Sequence, residues 1–299
     1  TRLASLRGAQ AGSGSGIATG NGRYANNVWG KVTGSTGDQD ARDGESGFET
    51  DSYGLTFGVD NSISANSLVG LSFSYNDTDV DGDGPGNGEV EVDSYQVTVY
   101  GEHDLKNDIF LTGQLAYAWH DFETDRTAGG QRISADYDGD QFSARIGVGK
   151  DLEMDSGLVL TPKAHVMYSD QSHDDFTEKN NAGAVVQDVD PDAPDALDLG
   201  IGLDVSKRIQ QRSGGVFVPS ANLGYTFDAI NDEYTADKKF SGGQTRESEG
   251  MEPSESTFTF GAGFDYDTAG AWSFSADYDY NVRSDYDSHD GMLKANFSF

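Results

Sequence analysis

The chain ends on the run 291-GMLKANFSF-299, and the way its side chains alternate decides how the rest is read. In an extended strand successive side chains point to opposite faces. Leu293, Ala295, Phe297 and Phe299 therefore share one face, and Lys294, Asn296 and Ser298 share the other. A face that apolar, ending on a bare aromatic, needs apolar surroundings. The same two-faced pattern recurs upstream. "DSYGLTFGVD" sets Tyr53, Leu55, Phe57 and Val59 against Ser52, Gly54, Thr56, Gly58 and Asp60. "SLVGLSFSYN" sets Val69, Leu71, Phe73 and Tyr75 against Gly70, Ser72, Ser74 and Asn76. "IFLTGQLAYAW", "FSARIGVGKD", "LDLGIGLDVS", "TFTFGAGFDYD" and "AWSFSADYDYNV" continue it. "VWGKVTGS", "YQVTVYGEH", "VLTPKAHVMYS" and "VFVPSANLGYTF" are weaker cases. Pro162 and Pro219 weigh against the last two, because proline costs a ladder hydrogen bond. Together these give about twelve strands, each near the ~9–11 residues that a tilted strand needs to cross a bilayer.

The composition narrows the field. The 299 residues include 39 Gly, 6 Pro and no Cys, with a formal net charge of −31. Without cysteine there are no disulfides, no thiol catalysis and none of the usual zinc-cluster ligands. The acidic balance argues against nucleic acid as a partner, since that needs Lys and Arg to displace counterions from phosphates. No run approaches the ~20 consecutive apolar residues of a membrane helix. Hydropathy alone would read the chain as soluble, but averaging hides a β-barrel, whose outward and inward residues alternate. "TRLASLRGAQAGSGSG" at the start has no apolar core and is not a signal peptide.

Connections sort by parity. "NSISAN", "HDLKND", "KDLEMDSG", "KRIQQRSG" and "DTAG" read as short. "TGDQDARDGESGFET", "DTDVDGDGPGNGEVE", "ETDRTAGGQRISADYD", residues 170–195, residues 228–255 and "RSDYDSHD" read as long. An up-and-down barrel with tight turns at one rim and loops at the other alternates in this way. A soluble sandwich also alternates in period two, but gives no reason for loop lengths to follow parity or for so many aromatics on one face. The expected fold is all-β: a closed, up-and-down, antiparallel transmembrane β-barrel of about 12 strands.

By the same parity the inner face is small and acidic. It carries Gly54, Gly58, Gly70, Gly147, Gly149, Gly200, Gly202, Gly261 and Gly263, with Glu102, Asp198, Asp204, Asp265, Asp277 and Asp279 as expected pore-lining acids. Glycine rows also ease sheet coiling. Twelve strands leave a bore between the filled eight-stranded and the open sixteen-stranded case, wide enough for a helix ~10–12 Å across. Residues 1–24 supply a candidate occupant, a helical or extended segment with Arg2 and Arg7 followed by a Gly/Ser link, and residues 25–299 form the barrel.

At this point the chain resembles the C-terminal β-domain, or translocator, of an autotransporter. The resemblance rests on "RLASLRG" upstream of "NVWGKVTGS", then "DSYGLTFGVD", "LVGLSFSY", "SYQVTVYGEH" and the terminal "ANFSF", in order along almost the whole chain. It implies a twelve-stranded barrel in the outer membrane of a Gram-negative bacterium, its pore threaded by an N-terminal segment. It also implies export of a passenger domain that precedes the sequence in a longer precursor, with long loops extracellular and the C-terminus periplasmic. In the family the final strand is the recognition signal for the barrel assembly machinery, and Leu293, Ala295, Phe297 and Phe299 match it. Outer-membrane lipid and lipopolysaccharide are the other implied partners, and no cofactor is expected.

Rival chemistries are weaker. "DTDVDGDGPGNGEVE" opens like a calcium loop at Asp79, Asp81 and Asp83, but position 12 is Val90 where a bidentate Glu is required. His120, His173 and His289 each neighbour an Asp, as chance predicts in so acidic a chain, and no second half of a catalytic constellation accompanies them. The chain is therefore not expected to be an enzyme, and an outer-membrane hydrolase is the weakest alternative. A passive porin or adhesin barrel is the stronger rival; it would begin at its first strand, without a pore segment.

Overall fold

The computed structural model describes residues 26–42, 46–84, 88–193, 195–230, 234–250 and 254–299. Among these, alternation produces one sheet of eighteen strands. β1 (Asn26–Gln39), β2 (Phe48–Ser64), β3 (Ser67–Gly82), β4 (Glu89–Asp104), β5 (Ile109–Ala128) and β6 (Gln131–Lys150) pair in succession. β7 (Leu152–Glu153) continues the wall of β6, and β8 (Leu158–His173) turns back along it. β9 (Phe176–Asn180) and β10 (Val185–Asp192) form a hairpin before β11 (Ala196–Lys207), which is continued by β12 (Ile209–Gln210). After β13 (Val216–Asp228) comes a second hairpin, β14 (Thr235–Phe240) and β15 (Thr245–Glu249). β16 (Ser256–Asp267), β17 (Trp272–Arg283) and β18 (Tyr286–Ser298) complete the circuit. β18 then pairs antiparallel with β1 from Asn27↔Ser298 to Gln39↔Tyr286, and the sheet closes. With the two hairpins set aside and β7 and β12 counted as continuations, the closed wall has twelve strands, every neighbour antiparallel.

Both proline-bearing runs are strands. Gly149 pairs with Lys163 and Leu152 with Leu160 in one register, broken where Lys150 faces Pro162. Ser206 pairs with Ser220 and Ile209 with Phe217, broken where Lys207 faces Pro219. A proline has no N–H for its neighbour. Each therefore leaves a gap in one ladder, which splits β7 from β6 and β12 from β11, while the strand that carries it runs on.

The two faces divide as the alternation requires. Tyr53, Leu55, Phe57 and Val59 point out and are 41–66% exposed, while Thr56 and Asp60 between them are 5% and 4% exposed. Leu293 and Phe299 are likewise exposed, beside buried Lys294, Asn296 and Ser298. Exposed aliphatics and rings circle the wall on every strand, which a closed single-layer sheet tolerates only in hydrocarbon.

The long-loop rim differs from expectation. "ETDRTAGGQRISADYD" is strand up to a tight turn at Gly129 and Gly130, both with positive φ (59° and 77°). "RSDYDSHD" is also a tight turn, with Asp285 at φ 58° between β17 and β18. Much of residues 170–195 and 228–255 is the β9–β10 and β14–β15 hairpins, joined edge to edge by β10 and β14. These extensions carry a small core of Ile133, Ala135, Val189 and Ala236. Phe122 stacks on Tyr137 at 4.7 Å and Tyr137 on Phe176 at 4.3 Å, and Arg126 donates to both oxygens of Glu178 at 3.0 and 2.5 Å. Asp79 and Asp81 lie within β3, paired with Glu91 and Glu89, rather than in a calcium loop.

Candidate functional site: the lumen of the barrel

The inner wall keeps its bore by laying large side chains flat over glycines of the next strand. A Cβ at Gly58 would overlap the indole of Trp29, and one at Gly70 the phenol of Tyr100. Gly149 lies under Phe110, Gly200 under His165, and Gly202 under the alkyl chain of Lys163. The glycine rows therefore make space for neighbours as well as easing curvature.

At the short-turn end the lumen has a floor. Trp29 Nε1 donates to Tyr100 Oη at 2.8 Å, and Tyr100 Oη donates to Asp60 Oδ2 at 3.2 Å. Asn27 Nδ2 donates to Asp60 Oδ1 at 2.6 Å, and Ser298 Oγ donates to Asn27 Oδ1 at 2.6 Å. These bonds tie β1, β2, β4 and β18 together. The Lys294 ammonium sits 4.6 Å from the Trp29 ring centre, a cation–π contact in a site where the lysine is 7% exposed. Toward the other end lies a cavity of ≈ 500 Å³ lined by Arg145, Lys163, Asp198, Asp228, Arg283 and Asp290, among others.

Each of the six acids read as pore-lining lies on the inner face of its strand. Asp265, Asp277 and Asp279 are buried and adjacent on β16 and β17. Asp198 and Asp204 are half-buried on β11, and Lys163 Nζ pairs with Asp204 Oδ1 at 2.7 Å. Glu102 is half-buried near the end of β4, apart from the others. The expectation of a small, acidic inner face missed its cations and rings: Lys31, Arg145, Lys163 and Lys294 share it with Trp29, Tyr100 and Phe110. Parity alone would have found them. Leu293, Ala295, Phe297 and Phe299 lie together on the outer face of β18, with Phe297 5.0 Å from Trp272 and 6.1 Å from Phe299. β18 is paired on both sides, so in the finished wall it is no free edge. Arg2, Arg7 and the whole of residues 1–24 lie outside the described residues.

The histidines at the long-loop end do not converge. His120 Nδ1 and Ser94 Oγ are 2.8 Å apart, but His120 Nε2 has no partner to orient the ring. His289 meets Tyr278 at 2.6 Å and Asp287 at 3.7 Å. His120 and His173 lie inside the wall level with Gly139, above Trp119, the last outward ring of β5, and one position below outward-facing Asp121 and Asp138. Burial lowers both pKa values, opposed at His120 by Gln141, Asp140 and Asp121, and reinforced at His173 by His120. Among the described residues no group of three His, Cys, Asp or Glu is arranged to hold a metal ion.

Comparison with known proteins agrees with this geometry. The family model described as "Autotransporter beta-domain" matches residues 28–279. "Outer membrane protein B" of Rickettsia prowazekii is 21% identical over 284 residues, covering 91% of this chain and 17% of that protein. The chain thus spans about a sixth of the length of such curated relatives. The translocator domain of the autotransporter NalP from Neisseria meningitidis superposes with a TM-score of 0.72 at 16% identity, over 92% of this chain and 89% of that one. The transport unit of the autotransporter AIDA-I from Escherichia coli gives 0.70 at 15% identity, over 99% and 95%. A barrel closed by twelve strands, girdled by apolar residues and matched over most of its length by one family model, belongs to the autotransporter β-domain family of outer-membrane translocators.

Proposed function

We propose that this domain anchors itself in the outer membrane by its apolar girdle and exports an N-terminal passenger, absent from the sequence, to the cell surface. One observation carries the reading. Asn26 N donates to Phe299 O at 3.3 Å and Phe299 N to Asn26 O at 2.9 Å, so the first strand begins at the short-turn rim. Chain upstream of Asn26 has to pass the lumen to reach the long-loop side. With that side extracellular and the C-terminus periplasmic, residues 1–24 thread the pore and Arg2 and Arg7 lie against its acids, where water is scarce and attraction is stronger than at a surface. The outward face of β18 serves as the signal for the assembly machinery, offering a pairing strand before closure. Lipid and lipopolysaccharide surround the finished wall, and its acidic outer rows suit weak divalent bridging to their phosphates.

Planar-bilayer conductance of residues 1–299 against residues 25–299 tests this. Removing the segment, or reversing it with Arg2→Glu and Arg7→Glu, raises conductance. Equal conductance in all three proteins returns the domain to the passive-porin reading.

A further inference from the structure

The outward wall has a hollow at its short-turn end. A cavity of ≈ 650 Å³ opens there over β1–β4, lined by Val28, Val59, Val69, Leu71 and Val99, with Phe299 at its side. All five aliphatic residues are exposed. Strand register explains the depression. Val28, Val59, Leu71 and Val99 form one outward cross-strand tier, and Asn26, Asn61, Val69 and Gly101 form the tier beneath it. Larger rings bound these short side chains: Phe57 and Phe73 pair in the tier above, and Phe297 faces Val28 across the seam.

The lower lip of the hollow is polar. Asn61 Nδ2 donates to Asn26 Oδ1, and one tier further down Ser67 Oγ and His103 Nδ1 are 2.8 Å apart on the outward face. From the Phe57–Phe73 tier to that rim no outward position of β1–β5, among the described residues, carries a carboxylate, in a chain of formal net charge −31. The outward acids of the same strands, such as Asp79 and Glu91, lie toward the opposite end.

A lipid-facing hollow left empty forfeits the dispersion contacts of its lining, so hydrocarbon settles into it. Its volume falls in the ~300–1,000 Å³ range of small-ligand pockets. An apolar bed with hydrogen-bonding groups at one end only matches a glycerophospholipid, chain toward the bilayer centre and phosphate and ester oxygens at the amides, hydroxyl and imidazole. Lipopolysaccharide carries its head group at the other rim in the reading above, which leaves this depth to the lipid of the inner leaflet.

We propose that the hollow is a resident site for one glycerophospholipid of the periplasmic leaflet. Its acyl chain lies on Val59, Leu71 and Val99, and its head group meets Asn26, Asn61, Ser67 and His103. This rests on the reading that the short-turn rim faces the periplasm. The full chain, refolded in detergent and freed of lipid, is titrated with palmitoyl-oleoyl phosphatidylethanolamine and scored by native mass spectrometry. Val59→Phe and Val99→Phe fill the hollow from different strands, so one variant that keeps heat modifiability suffices. Ile146→Phe adds comparable bulk to an exposed outward position on β6, away from the hollow. The expected result is one retained lipid on the parent and on Ile146→Phe, and its loss from the filled variants. A lipid that survives filling, or none on the parent, overturns the site. His103→Ala with Ser67→Ala should cut retention of the phospholipid but not of the matching diacylglycerol, which has no phosphate; equal effects on both overturn the head-group placement. Preference for lipopolysaccharide in competition overturns the assignment together with the orientation it rests on. A dimer of the parent that the filled variants lose overturns it in favour of a second copy seated in the hollow, and leaves the orientation standing.

Discussion

At Gly70 the inner wall has no room for a methyl group, because the Tyr100 ring lies over it and is held there by Trp29 and Asp60. Gly70→Ala must push that ring off its two hydrogen bonds, and overpacking of this kind costs about 1–3 kcal/mol. Gly113, with open space around its missing Cβ, is the contrast: Gly113→Ala is neutral or gains about 0.5–1 kcal/mol. Urea midpoints of the two detergent-refolded variants, read from the heat-modifiable band, should move in opposite directions or leave Gly113→Ala at parent. Equal losses would mean that the ring is not what fills the space. Which face each residue takes was legible from alternation alone, down to Asp277 and Asp279. Which ring covers which glycine was not, since Trp29 and Tyr100 meet across 71 positions through strand register that no local pattern encodes.

The β8–β10 segment answers to pH. His120 and His173 are packed against Phe122, with His173 also edge-on to Tyr137. Burial lowers both pKa values, so below the ordinary histidine value of 6.5 the unfolded segment binds more protons than the folded one. Stability contributed here is complete above that value and falls as the pH drops through the window beneath it. Hydrogen exchange across Phe176–Asp192, corrected for intrinsic rates, should be faster at pH 5 than at pH 7.5, and His173→Phe should shrink the difference. Identical protection at both pH values in the parent would refute it. These same elements mark where sequence reading stopped. Inside the bilayer one face is apolar and the other polar, so β2 or β3 announces itself. Beyond the apolar band the apolar side of β5 and β6 switches from the outer face to the inner one, where Phe122, Ile133 and Ala135 are buried. The pattern breaks there, and "ETDRTAGGQRISADYD" passes for a loop. The proline runs were discounted for the converse reason: a lost N–H breaks one ladder, yet neighbours on the other side still hold the strand.

Across the whole molecule the acidity is organised rather than scattered. Above the aromatic band the outward faces of β2–β6 carry a cross-strand row Asp51–Asp79–Glu91–Glu123–Asp136, with Asp77–Asp93–Asp121–Asp138 on one side of it and Glu49–Asp81–Glu89–Asp125 on the other. Directly opposed residues have Cβ atoms about 4.5–5.5 Å apart, and like charges there are destabilising. The pKa of Glu91 is raised, by desolvation first and then by Glu123, Glu89, Asp79 and Asp77. Repulsion at this spacing lies within the ~10 Å screening length of 0.1 M salt. The temperature at which the folded band converts to the unfolded one should therefore rise with NaCl, and more steeply with MgCl₂. Replacing Asp79, Glu91 and Glu123 by Asn, Gln and Gln should flatten the dependence; a parent indifferent to salt would show the rows to be fully hydrated and uncoupled.

The seam between β1 and β18 carries a demand about time. Ser298 bonds Asn27 across 271 positions, and until β18 exists β1 has a partner on only one flank. An unclosed wall exposes bare backbone and an oily belt to water together, and contacts of such separation are slow to form. A growing chain of this design has to be escorted until β18 has been made, because the strand that shuts the wall is the last of the twelve.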